Sequence, residues 1–538
     1  MTAYLLLLPV LIYFVSAVLM LVLRRVRRGI GYAWLLGVVT VGAVWGVLLY
    51  FHFSPPPPVI LINWLPVNQA VGTMLFQLDT PAWVYTFSLS GLVAAVIFTA
   101  SARLQYQSSP YTWAANFVIV AAGMLATLAG TPLALALAWT LIDAVELFFM
   151  VGAASDALLS RQAVVSFLAR VTGTLVLVAT MALSRAGGQE LLLVAPRPEL
   201  SIFLLIAAGL RLGVLPLHLP YAREVVRRRG VSTTLRMVAA ASSLVLLARL
   251  PVNAVPLEWF PWLLLLASLA AFYGSLRWLF STNEIYGRPF WLIGLAGLAV
   301  GSVVRSYPAA SLAWGVCLML SGGLLFLYSV RERRLLFAPG LGLLALSGLP
   351  FTPGGGGWAG LVILPINLPD FIFLLAHVLL MLGYLRHMLR PEETLAAMEG
   401  WIKGVYPFGL LFLMATAWLA ALLGWPADQG LAHVWISGLA VLLAAGSAFG
   451  LSRLQAWWLS HPERVEWVTT AGRPLGRVLN TLFSLDWVYF LAIKVYQLAQ
   501  RVVQAVTVIL EGEGGVLWVL VLLALLVSLL TVGGGGAP

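Results

Sequence analysis

The feature that most constrains this chain is an almost unbroken succession of long apolar runs. A membrane span needs roughly 20 mainly apolar residues at 1.5 Å rise each, and about sixteen stretches meet that criterion. They lie near 3–23, 31–52, 81–102, 111–130, 132–154, 162–184, 200–220, 232–250, 257–280, 289–304, 309–330, 335–365 with a break, 370–390, 404–424, 431–452 and 514–532. Hydrocarbon offers no hydrogen bonds, so each run must satisfy its own backbone groups, which a helix does. The expected fold class is therefore an all-α polytopic membrane protein with about 16 transmembrane helices. Only 9% of the residues are charged, against about a quarter in soluble domains. Such a chain could not cover itself with polar groups in water. With no large polar insert, it reads as one integral unit in four segments. Spans one to three occupy 1–110 and spans four to eight 111–250. A charge-poor set, spans nine to thirteen, occupies 251–400, and spans fourteen to sixteen 401–538.

The net charge is +11, and its placement argues against nucleic acid as a partner. The basic residues stand in short clusters between apolar runs, the pattern that orients spans in a membrane. One set of loops carries Arg24, Arg25, Arg27 and Arg28, then Arg103, Arg161, Arg223, Arg227, Arg228 and Arg229. The same set goes on with Arg331, Arg333, Arg334, Arg386, Arg390, Lys403, Arg453 and Arg464. The other set holds Arg185, Arg197, Arg249 and Arg305. An even span count puts the first set on one side, and the positive-inside rule then places both termini outside. The expected location is a prokaryotic inner membrane. Lipid-headgroup binding is the lesser reading of these clusters. The run 3–23 lacks a basic segment before it and a small-residue cleavage site after it, so it is expected to be a first span and not a removable signal.

The sequence shows no Gly-rich nucleotide loop, nucleophile elbow or zinc spacing. Cys317 is the single cysteine, which excludes an internal disulfide and a cysteine-ligated cluster. No cofactor, no metal and no catalytic site of its own are expected.

Three places interrupt the helical pattern: Pro55 to Pro58, Pro216 with Pro220 in span seven, and Pro350, Pro353 and Gly354 to Gly357 in span twelve. Span seven reads Gly–Val–Leu–Pro216, and span twelve, five spans on, reads Gly–Leu–Pro350. Five is odd, so the two breaks would sit in inverted orientation, as in inverted five-helix repeats that carry a broken helix in each half. In residues 475–511, Lys494, Gln497, Arg501 and Gln504 recur at three and four residues among apolar neighbours. That single polar stripe predicts an amphipathic lateral helix before the last span. A further span with a polar seam is the alternative. The tail Gly533 to Gly536 reads as a frayed end.

Ionisable residues inside spans are the candidates for function, because a charge near the bilayer centre costs at least about 2.5–3.5 kcal/mol and is kept only where protein or water solvates it. Asp143 and Glu146 are spaced by three in span five, which puts both carboxylates on one helix face. Two carboxylates so placed suit a proton carrier. The alternative is that each caps a polar contact or pairs with an arginine. Arg211 precedes Pro216 by five residues in a broken span; it can set a field or pair with Glu146, but arginine does not release its proton. Arg236 in span eight has the same limit. His218 can relay a proton, or serve as a loop or capping residue. His377, mid-span in span thirteen, reads as a satisfied core histidine or a relay.

Residues 209–249 resemble the antiporter-like membrane subunits of respiratory complex I and of Mrp-type cation/proton antiporters. Those subunits carry a glycine–lysine, a Pro–Phe–His–Trp–Leu-like run and a Pro–Val–Ser–Ala-like helix start bearing a histidine. Here Pro216–Leu–His218–Leu–Pro–Tyr–Ala–Arg–Glu leads to Gly230–Val–Ser–Thr–Thr–Leu–Arg236. The family glutamate of span five falls on Glu146. Gln77–Leu–Asp79 resembles the family's Leu–Asp–Gly, and Gly348–Leu–Pro350 its Gly–Leu–Pro–Pro turn. The likeness runs from about 70 to about 360, and a lateral helix before the last span resembles the longest member type. There are departures. The lysine of span seven falls on Arg211, the histidine of span eight on Arg236 and its central lysine near Ala241. The charged residue of span twelve has no counterpart near Gly354 to Trp358, and the Asp–Leu–Lys–Arg stretch after span nine is reduced to Asn283–Glu284. The resemblance implies a proton- or monovalent-cation-translocating subunit that sits beside other membrane subunits in a lipid bilayer and binds no flavin or iron–sulfur cluster. A scaffold that has lost transport, favoured by the missing charges, and a partner in bicarbonate uptake, suggested by arginines in place of lysines, are the alternatives.

Overall fold

In a computed structural model the described residues are 3–26, 30–63, 73–103, 109–153, 157–188, 190–219, 229–330, 332–362, 366–390, 399–425, 433–459 and 514–533, with isolated positions from 490 to 504. They fall into two compact units, Met1–Leu479 and Asn480–Pro538. Arg27, Arg28, Arg223, Arg227, Arg228, Arg331 and Arg464 of the basic loops, and the tail after Gly533, lie outside the described residues.

Each of the sixteen expected spans has its helix. α1 is Leu8–Val26, led in by a 3-10 turn at Ala3–Leu7, and α2 is Ile30–Phe53. α3 is Thr80–Ala100, α4 Pro110–Leu128, α5 Pro132–Ala153 and α6 Ala157–Ala186. α7 is Pro198–Leu212, α8 Arg229–Ala248, α9 Phe260–Leu279 and α10 Glu284–Val304. α11, Pro308–Val316, continues through a π-helical turn, Cys317–Ser321, into α12, Gly322–Leu327, so that the three form span eleven. α13 is Phe337–Leu346, α14 Leu368–Met388, α15 Gly400–Gly424 and α16 Val434–Leu459. The last helix is Gly514–Gly533. Among the described residues twelve helices are long and apolar enough to cross a membrane. The two broken spans, α7 and α13, are not among them because each stops early, after 15 and 10 residues. Of the predicted amphipathic helix, Lys494, Gln497, Arg501 and Gln504 are helical and exposed, and most of the rest of 475–511 lies outside the described residues.

Local chemistry sets the helix starts. Asp79 caps α3, its Oδ1 accepting from the Ala82 N–H at 3.0 Å, with a proline in the first turn. Ser109 and Thr112 form a reciprocal capping box at α4, and Asn283 accepts from Tyr286 N–H at α10. Each cap satisfies backbone donors that a helix start leaves open. One element departs from the all-helical expectation. Val59–Asn63 (β1) and Thr73–Phe76 (β2) form an antiparallel pair with Val59 opposite Phe76. Gly130 N–H donates to the Leu75 carbonyl and Gln77 N–H to the Leu128 carbonyl, both at 2.8 Å, which fastens this pair to the α4–α5 turn.

The core sits around α3, α8, α10 and the α11–α12 span, whose apolar windows are 94–100% buried; those of α1 and α2 are only 39% and 33% buried and face outward. α9 and α10 touch backbone to backbone. A Cβ on Gly274 would meet Gly294 N at 2.4 Å, and one on Gly297 would meet Ala271 N at 2.6 Å. Small residues let membrane helices approach this closely, since packing and not water expulsion holds them together.

Polar contacts between helix ends agree with the alternation of spans. Arg249 after α8 pairs with Asp79 before α3, at 2.8 Å, and Arg305 after α10 pairs with Asp370 at the start of α14. Thr73 donates to Glu190 at 3.0 Å. Simple alternation puts all of these ends on one face. Arg229 with Glu284, at 2.8 Å, and Arg386 with the Leu279 carbonyl join ends that it puts on the other.

Candidate functional site

α5, α6, α7 and α8 pack against one another, and each contributes to one buried cluster. Asp143 and Glu146 stand on α5 a turn apart. Arg170 comes from α6, Arg211 from α7 and Arg236 from α8. All five side chains are at most 1% exposed. Arg211 holds Asp143 with both terminal nitrogens, Nη1 to Oδ2 at 2.6 Å and Nη2 to Oδ1 at 2.9 Å. Glu146 is held by Arg170 on one oxygen and by Arg236 on the other. Arg170 also approaches Asp143, Nε to Oδ1 at 3.3 Å. One guanidinium thus reaches both carboxylates. Charge-assisted, two-pronged contacts of this kind fix geometry as well as energy; three arginines share two carboxylates, so the five side chains carry one positive charge in excess.

The sequence around Arg211 explains its reach. α7 ends at Gly213, whose φ of 75° is the left-handed conformation that glycine adopts without strain. The N–H groups of Val214 and Leu215 fold back to the Gly209 carbonyl, at 2.9 and 3.2 Å. Arg211 therefore lies in a helix's last turn, where the backbone dipole favours a cation. Its side chain passes Gly173 on α6, where a Cβ would meet Arg211 Cγ at 2.6 Å and the Ala207 carbonyl oxygen at 2.8 Å. Beyond Gly173 the guanidinium donates to the Arg170 carbonyl at 3.3 Å and to Thr174 Oγ1 at 3.1 Å. It also lies 4.3 Å from the Trp139 ring centroid. Trp139 in turn donates to the Ser242 carbonyl on α8 at 3.2 Å.

Four of the sequence candidates, Asp143, Glu146, Arg211 and Arg236, thus come together. Of the two readings of Arg211, a field or a pair with Glu146, the pair is corrected: Arg211 takes Asp143, and Glu146 is occupied by Arg170 and Arg236. The path over Gly173 delivers Arg211 to the carboxylate one turn nearer the start of α5. Arg170 is not among the sequence candidates. Its signal is nonetheless in plain sight, a lone arginine within the apolar run 162–184, and the cost argument that singles out Arg211 applies to it equally.

The two histidines lie elsewhere. His218 follows the α7 break, buried, with Nδ1 2.8 Å from the Pro216 carbonyl oxygen and Nε2 without a partner among the described residues. His377 on α14 lies in the second half. Its Nε2 is 2.8 Å from the Leu346 carbonyl oxygen, and its ring packs on Trp314 and Trp358 at 5.1 and 5.2 Å. It touches none of the five cluster residues. Among the described residues no group of three metal-ligating side chains occurs.

No protein-family model matches the chain, and no curated protein does. Solved structures do. A chain of the Mrp complex from Dietzia sp. DQ12-45-1b superposes with a TM-score of 0.67 at 18% identity, over 99% of this chain and 63% of that one. This chain therefore spans less than two thirds of that Mrp chain. A chain of the membrane-bound sulfane sulfur reductase, an archaeal respiratory membrane complex, gives 0.59 at 12% identity over 91% and 99%. A chain of respiratory complex I from Thermus thermophilus with bound NADH gives 0.57 at 15% identity over 78% and 100%. At these identities the likeness is one of fold.

Proposed function

We propose that this chain, which has the fold of the antiporter-like membrane subunits of Mrp complexes and respiratory complex I, is a proton-translocating subunit of a multisubunit complex of that type. It works in a lipid bilayer beside other membrane subunits and carries no redox group of its own. The observation that supports this most is the Asp143–Arg170–Glu146 arrangement, in which one guanidinium reaches both carboxylates.

Arginine keeps its proton, so the mobile proton belongs to Asp143 or Glu146. A proton bound by Glu146 cancels its charge, so that Arg170 and Arg236 both lose its carboxylate and Arg170 shifts toward Asp143, which Arg211 also holds; release of the proton restores the original sharing. Protonation thus becomes a small displacement of Arg170. The contacts of Arg236 with Glu146 and of Arg211 with Asp143 pass that displacement to α8 and to the broken end of α7. His218, beyond that break, is the next carrier in line. The path is assigned to spans four to eight, 111–250. The breaks at Gly213 and Gly348 are read as equivalent points of an inverted repeat, with His377 beside the second. Both termini are assigned to the outer side of a prokaryotic inner membrane.

The test is proton flux through the assembled complex in proteoliposomes, followed with a pH-sensitive dye. Glu146→Gln is expected to lower flux by about a hundredfold or more, the scale of a lost proton-transfer group. Equal flux per assembled complex would sink the role given to Glu146. A scaffold reading has its own support. Asp79, Asp143, Glu146, Glu284 and Asp370 all hold arginines, as structural ion pairs do. Under that reading Glu146→Gln reduces the amount of complex assembled and leaves flux per complex unchanged.

A further inference from the structure

The broken helix α13 leaves a gap in the wall of the bundle. Because α13 stops at Leu346, it forms only half a span against α14 and α16. A cavity of about 320 Å³ opens between the three. Its lining includes Gly340 and Leu344 of α13, Met381 and Leu385 of α14, and Val441 and Ala444 of α16. A Cβ built on Gly340 meets nothing within 4 Å, so the glycine itself makes part of the space. The one polar side chain in the lining, Ser347, is already satisfied: its Oγ donates to the Leu344 carbonyl at 2.7 Å and accepts from Leu349 N–H at 3.3 Å. Nothing in the lining asks for a polar ligand.

The ends of the cavity differ. Leu385 is followed directly by Arg386, and α13 is preceded by a 3-10 turn, Arg333–Leu336. Arg333 and Arg334 are exposed, with Glu332 the one acidic residue beside them; the Arg386 guanidinium is turned to the Leu279 carbonyl on α9. From Arg334 to Leu344 is roughly 15 Å of helical rise, which is about one leaflet of a hydrocarbon core some 30 Å thick. The lining begins at Gly340, six residues or roughly 9 Å of helical rise beyond Arg334, and continues to the middle of the membrane.

We infer that this is a binding site for an anionic phospholipid, with one acyl chain in the α13–α14–α16 cavity and the phosphate at Arg333 and Arg334. The surrounding medium supplies that molecule, and its parts match the two ends: hydrocarbon for the lining, negative charge for the rim. A volume of this size takes a single chain, whereas a partner's helix, about 10 Å across, needs a longer trough. The site lies between the second half and the C-terminal spans and does not depend on the transport reading.

The experiment is native mass spectrometry of the full-length chain in detergent, titrated with dioleoylphosphatidylglycerol and with dioleoylphosphatidylcholine. The wild type should bind one phosphatidylglycerol about thirtyfold more tightly than phosphatidylcholine, the scale expected of two arginines at a membrane surface. The double variant Arg333→Gln, Arg334→Gln should bind both equally. Gly340→Phe should bind neither, while melting as the wild type does in lipid-free detergent. If Gly340→Phe does not fold, Ala444→Phe blocks the cavity from the opposite wall and is read in the same way. Retained phosphatidylglycerol in the blocked variant, or an unchanged preference in the arginine variant, would overturn the proposal. So would a Val441→Cys cross-link showing a partner subunit's helix seated on this face.

Discussion

Two helices in this molecule break in the same way and do opposite things with the break. α7 ends at Gly213, with φ of 75°, three residues before Pro216; α13 is followed by Gly348, with φ of 73°, two residues before Pro350. At the first break the last turn carries Arg211, and its charge is matched across the bundle by Asp143. At the second, Ala345 occupies the corresponding place, and the freed carbonyls are closed by neutral donors. Gly354 N–H and Cys317 Sγ donate to the Ala345 carbonyl at 2.9 and 3.3 Å, and His377 Nε2 lies 2.8 Å from the Leu346 carbonyl oxygen. Trp314 and Trp358 fill the remaining space against His377. A helix break in a membrane must have its backbone groups satisfied, but that requirement does not demand charge. The first half meets it and adds an ion-pair network; the second meets it with aromatic packing and stays neutral.

The comparison can be broken most severely by giving the second half the first half's charge. Ala345→Arg places a guanidinium where no described carboxylate waits, at a side chain with 0% exposure. An unmatched buried charge costs several kcal/mol, so this variant is expected to abolish folded protein, read as loss of the monodisperse peak in detergent. Next, Glu146→Ala strips the common partner of Arg170 and Arg236. Breaking a buried pair from one side costs about 3–5 kcal/mol, and thermal melting in detergent should show a correspondingly large drop. A smaller effect is expected of Gly173→Ala, whose Cβ would press on Arg211 Cγ and the Ala207 carbonyl. Overpacking of this kind costs about 1–3 kcal/mol. Proton flux should fall with it, because Arg211 is pushed off Asp143; flux at the wild-type level would detach Arg211 from the path. The smallest effect on flux belongs to His377→Phe, which leaves the buried Leu346 carbonyl without its donor at a cost of about 1–3 kcal/mol. It should lower the melting temperature slightly and leave flux unchanged. A large flux defect there would show that the second half conducts and would erase the distinction.

Much of the fold is legible in the sequence because the lipid constraint is local. A run of twenty apolar residues must be helical wherever it ends up, so all sixteen helices can be read one at a time. The same holds for the breaks, since proline and left-handed glycine interrupt a helix by their own geometry. The β1–β2 pair is not legible: 59–76 is short, and its ladder is fastened to a turn more than 50 residues away. The site is half legible. Asp143, Glu146, Arg211 and Arg236 stand out because a charge inside an apolar run is conspicuous, and Arg170 can be found by the same rule.

What the sequence determined by itself is therefore a many-spanned helical membrane protein, broken near Pro216 and near Pro350, with its intramembrane charges concentrated in the first half. What only the tertiary structure decided is who holds whom. Spacing along one helix puts Asp143 and Glu146 on a common face. Whether Arg211 meets the first or the second depends on how α6 and α7 are packed and on the missing side chain at Gly173. That is a matter of reach between helices, and no periodicity within a helix contains it.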